Sequence, residues 1–178
     1  RLVYNDSWGH ISTQAVLREL SMDNGTNKSS TIGYGLGVSG NVNTYNKDRL
    51  RFHFSIGEGI GRYLQEAANS GALVLNSGDS IKSQLAYGGY IGYQHWWLPS
   101  LRSNINAGYL KIDWSNPLAL GLTDTRNTEF TSLHTNLIWT IFEPLDLEIE
   151  YSWATRKQAD GQEGEINRLQ ISGKFKFQ

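Results

Sequence analysis

The closing run Arg168-Leu169-Gln170-Ile171-Ser172-Gly173-Lys174-Phe175-Lys176-Phe177 decides the fold. Its even positions are Arg, Gln, Ser, Lys and Lys, and its odd positions from Leu169 to Phe177 are apolar or Gly. A period of two over that length is a β-strand with one greasy and one wet face. Upstream the pattern recurs. Leu145, Leu147, Ile149, Tyr151 and Trp153 share a face against Asp146, Glu148, Glu150 and Ser152. Leu133, Thr135, Leu137, Trp139 and Ile141 alternate with His134, Asn136, Ile138 and Thr140.

The same reading continues toward the N-terminus. Leu101–Tyr109 alternates against Arg102, Asn104 and Asn106, and Leu85–Tyr93 against Gln84, Tyr90 and Gln94. Leu50, Phe52, Phe54 and Ile56 oppose Arg49, Arg51, His53 and Ser55. Ile32, Tyr34, Leu36 and Val38 oppose a glycine-rich row. Ile11, Thr13, Ala15 and Leu17 oppose Ser12, Gln14 and Arg18. Arg1–Tyr4 reads as the tail of one more strand. The expectation is an all-β chain of eight full antiparallel strands plus a stub, with residues 1–178 in a single domain.

Composition agrees. The 178 residues include 19 Gly and 12% aromatics but only 3 Pro, and Pro is kept out of sheet interiors. No stretch approaches the roughly 20 apolar residues of a membrane helix, whereas a barrel strand needs about 9–11 alternating ones. A formal net charge of −1 gives no basic face for nucleic acid. With no cysteine there is no thiolate ligand or disulfide.

Short turns are expected near residues 5–7, 46–48, 98–100 and 143–144, and long polar loops near 23–30, 65–83, 116–127 and 157–164. That asymmetry is the outer-membrane pattern, with long loops outside and short turns in the periplasm. Alternation also fits a soluble barrel with its apolar face inward. Aromatic residues at strand ends favour the membrane, where amphipathic rings sit at headgroup level. At the short-turn end these are Trp8, Tyr45, Trp96, Trp97, Trp139, Phe142, Phe175 and Phe177. At the long-loop end they are Tyr63, Tyr109, Trp114, Phe130 and Trp153.

The runs Leu50-Arg51-Phe52, Gly57-Glu58-Gly59-Ile60-Gly61-Arg62-Tyr63-Leu64, Gly89-Tyr90-Ile91-Gly92-Tyr93-Gln94-His95, Leu101-Arg102-Ser103-Asn104, His134-Thr135-Asn136-Leu137-Ile138-Trp139 and Asn167-Arg168-Leu169-Gln170 resemble DcaP-like outer-membrane porins in their order along the chain. The resemblance implies the C-terminal half of a 16-stranded homotrimeric porin. In that family a helical periplasmic segment precedes the barrel, and small anions such as dicarboxylates diffuse through a basic constriction. By the same resemblance the constriction loop lies upstream of Arg1. Gln178 departs from the family pattern, in which the chain ends on the aromatic residue.

The candidate pore-lining set is Arg18, Arg49, Arg51, His53, Arg102, His134, Glu148, Glu150 and Arg168, with Arg51 and Arg102 expected at mid-barrel. Rings of Arg select anions electrostatically, and paired charges would only keep a pore wet. Lys174 and Lys176 fall near the periplasmic mouth. No catalytic residue, cofactor or metal is assigned. Gly35-Leu36-Gly37-Val38-Ser39-Gly40 matches a dinucleotide fingerprint literally, but no helix start follows it; small residues on a crowded lumen face explain it better. His10, His53, His95 and His134 lack metal-ligand spacing. The expected function is passive diffusion of small, preferably anionic solutes across the bacterial outer membrane, in contact with lipid and lipopolysaccharide. The alternatives are an eight-stranded outer-membrane anchor or enzyme, and a soluble ligand-binding barrel.

Overall fold

A computed structural model describes residues 1–64, 71–75, 80–114 and 125–177. The strands are β1 (Leu2–Asp6), β2 (Gly9–Asp23), β3 (Lys28–Asn43), β4 (Arg49–Glu58), β5 (Ala72–Leu75), β6 (Ser80–Ser83), β7 (Leu85–Leu98), β8 (Leu101–Asp113), β9 (Asn127–Phe142), β10 (Leu145–Gln158) and β11 (Glu163–Phe175). Nine of them form one antiparallel meander in the order β1-β2-β3-β4-β7-β8-β9-β10-β11, with β1 and β11 at its edges. The expected stub is β1, and the eight full strands follow it. β5 and β6 form a separate hairpin.

The apolar face is bare. Leu17 is 77% exposed, Leu36 67%, Leu169 68% and Ile171 76%, and Leu147, Ile149 and Phe175 are also exposed. An apolar surface continuous over nine strands is far larger than a soluble monomer tolerates, so it faces lipid or protein. The opposite face is the one onto which the connections fold. Ile60, Leu64, Leu73 and Trp114 are buried there against Ala86, Leu110 and Ile112.

The pairing register shows that the strands are tilted. One row of facing residues reads Leu36, Ile56, Tyr87, Lys111, Glu129, Lys157 and Glu163 from β3 to β11. It starts at Leu36, one residue above the midpoint of the β3 apolar band, and ends at Glu163, nine residues above Ser172, the midpoint of the β11 band, so the mid-level slides by eight residues. Eight residues at roughly 3.4 Å give about 27 Å of slide, across six strand steps of about 4.8 Å each, about 29 Å in all. The strands therefore lean about 43° from the membrane normal, and transmembrane barrels tilt by about 35–45°. Each residue then rises about 2.5 Å along that normal.

Two expected long loops are tight turns. β2 continues to Asp23 and β3 begins at Lys28. Asn24 Oδ1 accepts from Thr26 N (3.0 Å) and Asn27 N (2.7 Å) and so closes that turn. β10 continues to Gln158 and β11 begins at Glu163, with Asp160 Oδ1 accepting from Gln162 N at 3.0 Å. These strand ends rise beyond the apolar band and their outward positions (Glu19, Ser21 and Asp23; Lys157, Glu163 and Glu165) are polar, so the outward apolar stripe vanishes while pairing persists. The other two expected loops, 65–83 and 116–127, fall partly outside the described residues.

Four aromatics assigned to the girdles point inward instead. Trp114 is 5% exposed within the inner cluster, and Phe130 packs against that cluster. Tyr63 lies on the inward-folded turn, with the Arg18 guanidinium carbon 5.8 Å from its ring centre. Trp96 shares the inner face with Arg102, whose guanidinium lies 5.3 Å from its ring. The rings that face outward at the upper edge are Tyr34, Tyr87, Tyr109 and Trp153. By register they follow the tilt, each roughly 8–9 Å above the band centre.

The channel wall

The inner face is built in rows. One row runs Asn43, Arg49, Gln94, Asn104, Asn136, Glu150 and Gln170. The next runs His10, Asn41, Arg51, Gly92, Asn106, His134, Ser152 and Arg168. Every candidate pore-lining residue lies on this face, because each sits at the polar parity of its strand. The tilt sets their heights. His53, His134, Glu148 and Glu150 fall within about 3 Å of the band centre. Arg51 lies about 7 Å and Arg102 about 10 Å toward the short-turn side, so neither is central. Arg49 lies lower still, whereas Arg18 and Arg168 lie about 7 and 10 Å toward the other side.

Their partners differ. Arg102 Nη2 lies 3.1 Å from Asp146 Oδ2, and both side chains are largely buried. Thr140 Oγ1 donates to Asp146 Oδ1 at 2.5 Å, and Lys176 Nζ approaches Asp146 at 3.9 Å. Arg102 is thus neutralised. Arg49 and Arg51 are exposed and make no ion pair among the described residues. Arg168 bonds Gln170.

A polar chain crosses four strands beside them. Gln94 Nε2 donates to Asn104 Oδ1 (3.1 Å), Asn104 Nδ2 to Asn136 Oδ1 (2.8 Å), and Asn136 Nδ2 to Glu148 Oε1 (2.5 Å). Glu150 accepts from Ser152 Oγ (3.0 Å) and faces His134 Nδ1 at 3.8 Å. His53 Nε2 lies 3.0 Å from Ser55 Oγ, and its ring stacks on Tyr90 at 6.0 Å. His95 is on the outer face. Among the described residues, no three His, Asp or Glu come together as a metal site.

Sequence reading missed the segment that narrows this wall. A 3-10 turn at Gly61–Tyr63 folds back over β3, β4 and β7. Its anchor is Ile60, which is 2% exposed. A Cβ at Gly35 would stand 2.6 Å from Ile60 Cγ2, and one at Gly57 would stand 2.5 Å from the Gly35 backbone. Gly35 and Gly57 are therefore the socket, which is the physical content of the crowded glycine row. Gly59, at φ +70°, turns the chain inward. The turn is tied by Gly59 N to Gln84 O at 2.9 Å and by Ser83 Oγ to Glu58 Oε2 at 2.9 Å. Between it and the wall is a recess of roughly 340 Å³ lined by His53, Tyr63, Tyr90, Leu110, Phe130 and Ser132. The signal in the sequence was Gly57-Glu58-Gly59-Ile60-Gly61, which alternation alone reads as a bend at the rim.

At the short-turn edge, Asp48 organises the outer rim. It is 4% exposed and accepts from Trp96 N (2.8 Å), His95 Nδ1 (2.6 Å) and Tyr93 OH (2.9 Å). The Trp96 amide first, with His95 and Tyr93 adding to it against the effect of burial, holds this carboxyl below its ordinary range.

The comparisons with known proteins agree with this architecture. In backbone trace the chain is similar to the crystal structure of the outer membrane channel DcaP of Acinetobacter baumannii. The TM-score is 0.76 at 21% identity, covering 98% of this chain and 49% of that one, so the chain spans about half its length. A de novo designed transmembrane β-barrel aligns at a TM-score of only 0.28 and 12% identity, over 94% of this chain and 98% of that one. No curated protein shows significant sequence similarity to the chain. The model of the DcaP outer membrane protein family matches residues 10–177. The chain belongs to the DcaP outer membrane protein family and resides in the bacterial outer membrane.

Proposed function

We propose that this chain forms one wall of a passive porin that favours small anionic solutes of the dicarboxylate type. The supporting observation is the state of the inner cations. Arg49 and Arg51 are exposed and have no ion pair among the described residues. Glu148 and Glu150 are hydrogen-bonded to Asn136 and Ser152. The unpaired cations are therefore concentrated on β4 toward the periplasmic mouth, whereas the Glu148 and Glu150 carboxylates, bonded to neutral partners, hold their charge at the central level. Unpaired guanidinium groups raise the local concentration of anions and lower their entry barrier. Solutes then pass the turn at Gly61–Tyr63 and the central band of His and Glu. The wall works by diffusion and needs no catalytic step or cofactor. The open edges β1 and β11 suit continuation into a 16-stranded barrel, assembled as a trimer.

The test is a reversal-potential measurement on the whole channel in a planar bilayer under a salt gradient. Arg49→Glu/Arg51→Glu is expected to move selectivity toward cations by several-fold. Arg102→Glu, whose wild-type charge is already paired, moves it less. Equal selectivity in all three proteins would contradict the proposal, and absence of conductance in the wild type would remove it.

A further inference from the structure

The bare part of the wall, β9 to β11, has its charges sorted by height. The inward row of β10 is Asp146, Glu148, Glu150 and Ser152, and that of β11 is Arg168, Gln170, Ser172 and Lys174. The register sets Glu148 opposite Ser172 and Glu150 opposite Gln170. Arg168 is therefore the diagonal neighbour of Glu150, and Lys174 that of Glu148, each roughly 7–8 Å away. Both cations are exposed, and neither makes an ion pair among the described residues. The carboxylates accept hydrogen bonds from neutral groups, Asn136 Nδ2 at 2.5 Å and Ser152 Oγ at 3.0 Å, and His134 Nδ1 stands off at 3.8 Å. A carboxylate has about four acceptor positions, so each keeps some of them for the lumen.

A solute descending this wall meets Arg168, then two carboxylates near the mid-level, then Lys174 and, across on β4, Arg51. A plain dianion is attracted at the outer levels and repelled at the middle one. An ammonium on the same solute reverses the sign of that middle step, while its carboxylates keep the cations above and below. A bare metal ion lacks those carboxylates, and among the described residues no three His, Asp or Glu come together to hold one. We propose that Glu148 and Glu150 are specificity-determining residues that make the channel select by charge distribution, passing amino dicarboxylates ahead of dicarboxylates that lack the ammonium. The inference deepens the porin reading and rests on it. One ammonium–carboxylate contact in a watery lumen is worth about fivefold in rate.

The test is uptake of three labelled solutes of similar size into liposomes that carry the whole channel: aspartate, succinate, and succinamate, the monoamide of succinate. Aspartate and succinamate have the same net charge, so a difference between them isolates the ammonium. Wild-type channel is expected to pass aspartate about fivefold faster than succinamate. In Glu148→Gln/Glu150→Gln, which keeps an acceptor oxygen for Asn136 and for Ser152, aspartate should fall to the succinamate rate and succinate should rise. Equal wild-type rates for aspartate and succinamate overturn the proposal, as does a variant that keeps the preference. If the variant does not insert, the wild-type comparison decides alone. A wild type that passes none of the three sinks the porin reading itself, whereas one that passes aspartate and succinamate equally sinks this inference and leaves the porin standing.

Discussion

The two ends of the sheet solve different problems with the same alternating code. In the upper part of β3 to β8 the inner wall carries Gly35, Gly57, Gly88 and Gly108 and is covered by a folded-in segment, so its interior is partly a packed apolar core around Ile60, Leu64 and Leu110. From β9 to β11 the wall is bare and is held by hydrogen bonds among Asn136, Glu148, Glu150 and Ser152. In the proposed porin the first region would narrow the passage and the second keep it wet. What differs is not the period of the strands but whether the inward residues are small enough to accept a second layer.

That difference can be broken from either side. The largest effect should come from the socket. Gly35→Val places side-chain atoms where Ile60 now sits, and overpacking of this kind costs about 1–3 kcal/mol. The turn at Gly61–Tyr63 should leave the wall, visible as higher single-channel conductance; unchanged conductance would mean that the segment does not limit flow. Next is the Arg102–Asp146 pair at the foot of the bare region. Asp146→Ala leaves Arg102 half-buried without its partner, at a cost of about 1–3 kcal/mol, and should raise anion preference because a cation is released. Thermal unfolding in detergent and the reversal potential check the two halves of that expectation.

A smaller effect is expected at the rim. The folded-state pKa of the Asp48 carboxyl is depressed, so its contribution to stability is complete above the ordinary carboxylate value of about 3.9 and fades as pH falls through the lowered one. Asp48→Asn should therefore lower the unfolding temperature at pH 7 and flatten its dependence on acid. Parallel pH profiles for wild type and variant would show that the Trp96, His95 and Tyr93 contacts do not stabilise the charge. The smallest shift in unfolding temperature should follow Glu150→Gln, since His134 faces that carboxylate only at 3.8 Å.

Much of this was legible in the sequence. Alternation identified every full strand and put the candidate residues at one parity, because period two needs no partner to be read. Heights were not legible. Arg51 and Arg102 look central within their own strands, but the register slides the membrane's mid-level by more than a residue per strand. That slide also hid the outward charges, since Lys111 and Leu36 share a row and not a depth. Nor could alternation assign Trp114 or Phe130, which keep the inward parity and are apolar because a second layer covers them. The turns at 24–27 and 159–162 were read as loops because the outward positions of the strands above the lipid are polar and the apolar stripe stops.

The central claim is that the Leu147–Ile149–Ile171 face meets lipid and the Glu148–Glu150–Ser172 face meets water. This chain contains no cysteine, so each introduced thiol in it is unique. In the reconstituted channel, Glu150→Cys and Ser172→Cys should react with a charged, water-soluble thiol reagent and reduce current. Ile149→Cys and Ile171→Cys should stay unmodified, and labels placed there should be quenched by lipid-borne quenchers. The reverse assignment, with position 149 reactive and position 150 protected, would contradict the account.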